Sequence, residues 1–237
     1  MREKMTKHKV QRAVFLAAGF GMRMRPVTKI VPKPLVEVDG VRIIDRLIDR
    51  CLEIGINEIY IVRGYIPEAF NILKQKYPMI HFIDSPDYAN ANNISSAYLA
   101  RHYLQDAYVF ESDLLLYNPN ILCKYHNNSN FLGIWKTHSD DWCLETKNNR
   151  IINEKLGGDS CWQLVGISYW TKEDGKQLAL DLEDIYIKNN MRNIYWEQVP
   201  LIHRNSNYNV YVRECFDKDV VEIDTYDELL KVNFNNF

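Results

Sequence analysis

Between Leu16 and Pro26 the chain reads LAAGFGMRMRP, and a second short element, VPKPLVEV, follows over Val31 to Val38. Gly19 and Gly21 carry no Cβ, so backbone N–H groups there can approach an anion closely. Arg23, Arg25 and then Lys33, set between two prolines, add fixed positive charge to that cradle. Such a set suits a triphosphate attacked at its α-phosphorus, because charge then builds on the equatorial oxygens and the departing pyrophosphate. A dinucleotide fingerprint would need a third glycine where Met24 stands, and no Gly-Lys-Ser/Thr marks a P-loop. A GxG by itself is also an ordinary tight turn; Lys33 in the same stretch argues against that.

Two acidic strand ends accompany the loop. Glu111-Ser112-Asp113 ends one apolar run, and Val221-Glu222-Ile223-Asp224-Thr225 ends another. Carboxylates at the carboxyl ends of parallel strands point into the crevice where ligands sit. A hard Mg²⁺ ion takes few protein carboxylates and completes its shell with phosphate oxygens and water, so these acids suffice for it. A helix cap is the competing reading of Asp224, given Thr225 and Asp227 beside it.

A third group is aromatic. Trp142, Tyr169, Tyr195 and Trp196 lie near Asp140, Asp141 and Glu197 in sequence. Aromatic faces with carboxylates suit a cationic head group, although any one of these rings could equally be core. A quaternary ammonium wants the rings, whereas a primary ammonium with three donors wants the carboxylates. Composition leaves that choice open, and the acid-rich setting tilts it toward the primary amine.

The rest of the chain limits the field. A phosphate or phosphonate oxygen is already an anionic nucleophile, which agrees with the lack of any Ser-His-Asp or Cys-His arrangement; His8, His81, His102, His126, His138 and His203 read as structural or surface residues. Cys51, Cys123, Cys143, Cys161 and Cys215 are odd in number and scattered, so reduced thiols are expected, with Cys143 notable for its neighbours. The 237 residues carry 29 basic and 31 acidic side chains, a net charge of −2 with no surplus to bind nucleic acid. No run approaches the ~20 apolar residues of a membrane span, and the polar start MREKMTKHKVQR is no signal peptide, so a cytoplasmic protein is expected.

The elements that must position these groups alternate. Ala13–Ala18 is a continuous apolar strand ending at Gly19; Ile43 to Ile54 keeps helical spacing and closes at Gly55. Ile59–Val62, Ile80–Ile83 and Ala107–Phe110 read as strands, Glu68–Tyr77 and Ile94–Leu104 as helices, the latter with Asn93 as its cap. This order predicts an α/β fold, a mixed but mostly parallel central sheet with helices on both faces. In the second half, strands are expected at Phe131–Trp135, Trp142–Glu145, Gln163–Tyr169, Val210–Arg213 and Val220–Ile223, and helices at Lys172–Lys188 and Tyr226–Val232. With no linker or repeat, one domain spanning 1–237 is expected: a polar, flexible 1–12, a nucleotide-binding half over 13–115 and an acceptor-binding half over 116–237.

LAAGFGMRMRP followed by PKPLVEV resembles the signature of sugar-phosphate and choline-phosphate nucleotidyltransferases, L-A-A-G-x-G-(S/T)-R-(L/M)-x-P with P-K-x-L soon after. Met22 replaces the usual Ser or Thr, which removes one hydroxyl able to touch a phosphate. NNISSAY (Asn92–Tyr98), DDWC (Asp140–Cys143), GISYW (Gly166–Trp170) and IYWEQVPL (Ile194–Leu201) are similar to the bacterial phosphocholine cytidylyltransferase group, which includes enzymes activating 2-aminoethylphosphonate. The likeness runs from about Ala13 to Val232 and is closer to the phosphonate-activating members. It implies a Rossmann-like, glycosyltransferase-A-type fold that binds CTP on Leu16, Ala17, Ala18, Gly19 and Gly21. Arg23, Lys33 and Asp113 would be catalytic, with Mg²⁺ held by Asp113 and Asp224. Arg63, Gly64, Asn92, Asn93 and Ser95 become candidates for base and ribose contacts. Asp141, Trp142, Tyr169, Tyr195 and Glu197 become candidates for the head group of phosphocholine or 2-aminoethylphosphonate. A sugar-1-phosphate nucleotidyltransferase and a silent nucleotide-sensing domain are the alternatives.

Overall fold

The computed structural model describes residues 7–234. A seven-stranded mixed sheet forms its centre. Four strands run parallel: β1 (Arg12–Ala17), β2 (Glu58–Arg63), β3 (His81–Asp84) and β4 (Ala107–Glu111). On β1 and β4 the side chains are apolar on both faces because the sheet is covered on both, so Val14 and Phe15 are equally inaccessible, whereas β3 at the sheet edge is partly exposed. Helix α1 (Ile43–Glu53) buries Ile43, Ile44, Leu47, Ile48 and Cys51, the stripe its spacing predicts, and Gly55 turns the chain out at φ 85°.

A short strand β5 (Leu114–Leu116) continues beyond β4. Two long strands, β6 (Asn130–Lys147) and β7 (Arg150–Trp170), then make an irregular hairpin whose base joins the sheet, with β7 antiparallel to β4. Three short strands were expected in this span. The hairpin instead closes at Asn148 and Asn149, both left-handed at φ 52° and 60°, a two-residue turn that asparagine tolerates. Register shifts near Ser139–Trp142 bend the hairpin and carry Asp141 and Trp142 toward the ends of β1 and β4.

Helix α2 (Ile94–Ala100) and helix α3 (Lys172–Glu183) cover the other face. The expected helix over Lys172–Lys188 is regular only to Glu183 and ends in a wide π-type turn at Asp184–Lys188. Likewise, Glu68–Tyr77 resolves into tight turns over Pro67–Ile72 and one helical turn, Leu73–Lys76. Strand β8 (Tyr211–Cys215) lies between β6 and β7, and β9 (Val220–Glu222) pairs with β5. Helix α4 (Tyr226–Phe234) closes the described chain. Of the polar N-terminal segment, residues 1–6 lie outside the described residues, whereas His8–Lys9 form a strand against Tyr125–His126 and so are ordered.

Candidate active site

The carboxyl ends of β1 and β4 open onto a cleft of about 550 Å³, continuous in its lining with a second cavity of about 360 Å³ over the glycine loop. The glycine loop lines both. Gly21 is left-handed at φ 59°, and its carbonyl accepts a 2.7 Å bond from the Thr28 hydroxyl. Lys33 donates from Nζ to Asp113 at 2.8 Å and to Asp224 at 2.6 Å, and Arg23 lies 2.8 Å from the other Asp224 oxygen. Burial would lower the Lys33 ammonium, but Asp113 and Asp224 outweigh it and hold it above its ordinary value. Burial would raise Asp224, but Lys33 and Arg23 outweigh that and hold it below.

Pairing of β9 with β5 brings Glu222 beside Asp113, and carboxylate oxygens of Glu111, Asp113 and Glu222 lie within 4.8 Å of one another. Burial and then the neighbouring acids push Glu222 up to about 10 and raise Glu111 strongly. Asp113 Oδ1 is buried without a hydrogen-bond partner. Crowded, self-repelling oxygens with one left unsatisfied are what a hard divalent cation relieves, so these residues fit Mg²⁺. Asp224 does not cap α4. The Thr225 hydroxyl accepts from Glu228 N–H, while Glu228 Oε2 accepts from the Asp224 and Thr225 amides at 2.8 Å each, leaving the Asp224 carboxylate free for Lys33 and Arg23.

Asp141, Trp142, Tyr195 and Glu197, with Leu156 and Leu164, line the cleft as well, and Glu197 lies near enough to Glu111 for their charges to interact. The Trp142 and Tyr195 rings meet edge-on, centroids 5.6 Å apart. Glu197 is 3% exposed, and its Oε2 has no hydrogen-bond partner. Glu154 is equally buried with both oxygens unsatisfied; burial pushes it up to about 7, and its charge adds to the burial that raises Glu197. The third wall is Ala18, Tyr88, Ala91, Asn92, Asn93, Ser95 and Ser96.

Residues 12–141 match the model of the nucleotidyl transferase family. The chain belongs to that family. A 2-aminoethylphosphonate cytidylyltransferase of Lancefieldella rimae is 30% identical over 221 residues, covering 92% of this chain and 89% of the relative. A choline-phosphate cytidylyltransferase of Streptococcus pneumoniae is 28% identical, covering 93% and 96%. The solved structure of CTP:phosphocholine cytidylyltransferase from Streptococcus pneumoniae superposes with a TM-score of 0.86 at 26% identity, over 97% of this chain and 100% of that one. The protein is thus a nucleotidyltransferase with the fold its sequence resembles, in which the expected loop, acids and two aromatic residues converge on one cleft.

Several expected site residues of this nucleotidyltransferase stand elsewhere. Tyr169 is fully buried, stacked on His126 at 4.4 Å with its hydroxyl toward Asp106, and belongs to the core. Trp196 is core as well, against Phe131 and Trp170, whereas its neighbours Tyr195 and Glu197 line the cleft. Asp140 is solvent-exposed beside His138. Arg63 turns away, donating to Asp84 at 2.6 Å and to Pro67 and Asn71, with its guanidinium over Phe82. Gly64 acts by closeness: a Cβ there would come within 2.6 Å of Tyr88 and 2.9 Å of the Ala18 carbonyl. Leu16, Ala18 and Gly19 line the main cleft and Ala17 and Gly21 the smaller cavity. Asn93 stands at the N-cap position of α2 as expected, but its side chain makes no capping bond and instead bonds Glu111 and the Trp196 amide. The Cys143 thiol lies outside the cleft lining, 2.8 Å from Cys161, with burial raising it to about 12.

Glu111, Glu222 and Tyr88 were not among the expected site residues. The two glutamates had a signal: each precedes an expected aspartate by two positions, so on a strand both side chains take the same face. Tyr88 had none, since it sits in a turn whose path only the fold sets.

Proposed function

We propose that this nucleotidyltransferase moves the CMP group of CTP onto a small phosphonate or phosphate bearing a primary ammonium, 2-aminoethylphosphonate being the type, with Mg²⁺ and release of pyrophosphate. The observation carrying the acceptor is Glu197, a buried carboxylate with one oxygen left without a hydrogen-bond partner, in a wall shared with Asp141, Trp142, Tyr195, Leu156 and Leu164. An unsatisfied buried acceptor wants a donor. A primary ammonium brings three N–H groups, whereas a quaternary one brings none. The relative activating 2-aminoethylphosphonate supports the same choice.

In this reading an acceptor oxygen, already anionic, attacks the α-phosphorus of CTP; the new O–Pα bond forms as the bond to pyrophosphate breaks, and the electron pair leaves with pyrophosphate. No general base is required. Lys33 and Arg23 neutralise the charge developing on the phosphates, and the glycine loop offers backbone N–H groups to them. Mg²⁺, held by Asp113 with Glu111 and Glu222, would add charge neutralisation on the triphosphate. Trp142, Tyr195 and Glu197 hold the ammonium so that the acceptor's other end faces the α-phosphorus, which is positioning rather than covalent chemistry. Lys33 also binds Asp113 and Asp224, so the same cation orders the acidic strand ends before substrate arrives.

Pyrophosphate release from CTP and Mg²⁺ tests the proposal with 2-aminoethylphosphonate, phosphoethanolamine, phosphocholine and glucose-1-phosphate run in parallel. A primary amine acceptor is expected to give the highest kcat/KM. Phosphocholine in first place would overturn the role given to Glu197, and turnover of glucose-1-phosphate alone would overturn the acceptor class.

A further inference from the structure

Asn93 stands where α2 begins, on the nucleotide side of the cleft, yet its side chain is engaged with the acceptor side. Its Oδ1 accepts the Trp196 backbone N–H at 2.8 Å, and its Nδ2 donates to Glu111 Oε1 at 3.2 Å. A second tie runs beside it, the Asn92 N–H donating to the Arg192 carbonyl at 2.8 Å. The Trp196 ring is anchored in the core, so the peptide between the two residues that face the acceptor, Tyr195 and Glu197, is fixed at both its amide and its side chain. A carboxamide reading cytosine must offer its own acceptor or donor to the base, and both ends of this one already have protein partners.

We infer that Asn93 is a positioning residue that fastens the 195–197 segment to the nucleotide half and so sets the acceptor wall, rather than a reader of the base. It acts on Tyr195 through the Trp196 amide, and on Glu197 both through that amide and directly, its side chain lying within hydrogen-bonding reach of the Glu197 carboxylate. The inference rests on the acceptor site proposed above, and it predicts a division between the two substrates: loss of the Asn93 carboxamide loosens the wall that binds the ammonium and leaves the CTP wall in place.

The test compares wild type with Asn93→Ala and Asn93→Asp, using whichever acceptor of the panel the wild type turns over. For Asn93→Ala, KM for the acceptor is expected to rise about tenfold or more, KM for CTP to stay within about twofold, and amide exchange of the peptide containing Trp196 to accelerate. Asn93→Asp keeps an oxygen for the Trp196 amide and is expected to fall between the two. A rise in KM for CTP equal to or larger than that for the acceptor would overturn the inference, since a base reader behaves so. Unchanged KM values would overturn it too. If Asn93→Ala fails to bind CTP by calorimetry, Asn93→Asp decides by the same KM division. If the wild type turns over no acceptor, the proposed function fails on its own, and the exchange rate at Trp196 still decides the role of Asn93: an unaltered rate in Asn93→Ala refutes it.

Discussion

Lys33 is the point where the phosphate loop and both acidic strand ends meet. Its ammonium is held between Asp113 and Asp224, with the Lys33 side chain 11% exposed. Lys33→Ala removes the charge proposed to stabilise the leaving pyrophosphate and leaves Asp113 and Asp224 without their shared cation. Its kcat is expected to fall by about 10²–10³, as for loss of one preorganised electrostatic group; pyrophosphate release measures this, and a near-native rate would sink the assignment. Glu154 makes a different prediction. Burial alone pushes it from 4.5 to about 7, so between those values the folded state holds a proton that the unfolded chain has lost. Stability therefore falls as pH rises through that window, by at most about 3 kcal/mol. Glu154→Gln keeps the shape without the charge and is expected to raise Tm at pH 8 by about 5 °C while changing little at pH 5. Equal gains at both pH values would refute the buried-charge account.

Elements carry these residues to one place because backbones approach closely where a side chain would not fit. At the start of α3, a Cβ on Gly175 would come within 2.3 Å of the Leu104 carbonyl and 2.7 Å of the Gln105 Cα, both backbone atoms that cannot swing aside. Gly175→Ala is therefore expected to wedge α3 from the chain ahead of β4 and to cost about 1–3 kcal/mol, read from urea denaturation. Gly64→Ala is aimed at function: Tyr88 must give way, and with it one wall of the cleft, so KM for CTP is expected to rise several-fold with kcat less affected. The apolar runs and helical spacings were legible for β1, β2, α1 and β4, each buried as its pattern requires. The long β6–β7 hairpin was not. Its strands bend at the register shifts near Ser139–Trp142, where charged and exposed residues hide the period, and the Asn148–Asn149 turn is its one local mark.

Across the whole molecule the cleft gathers Glu111, Asp113, Glu222, Asp224, Asp141 and Glu197 against Lys33 and Arg23. Burial first, and then repulsion from the neighbouring acids, drives Glu111, Glu197 and Glu222 toward the protonated form. A Mg²⁺ ion or an ammonium bound there, as proposed, would compete with protons. Stabilisation by either cation is expected to grow from pH 6 to pH 8, visible as a larger rise in Tm at the higher pH; a shift independent of pH would contradict the site. The sequence by itself determined the strands β1, β2 and β4 and helix α1, the glycine loop with Arg23 and Lys33, and the presence of two acidic strand ends, because these depend on local spacing. Only the tertiary structure decided that Glu222 and Glu111 join Asp113 while Asp224 serves Lys33 and Arg23, that Tyr195 and Glu197 face the cleft while Tyr169 and Trp196 fill the core, and that Arg63 turns away. Which side of a strand or turn meets ligand depends on register and on what packs behind it, and both are set by residues far away in the chain.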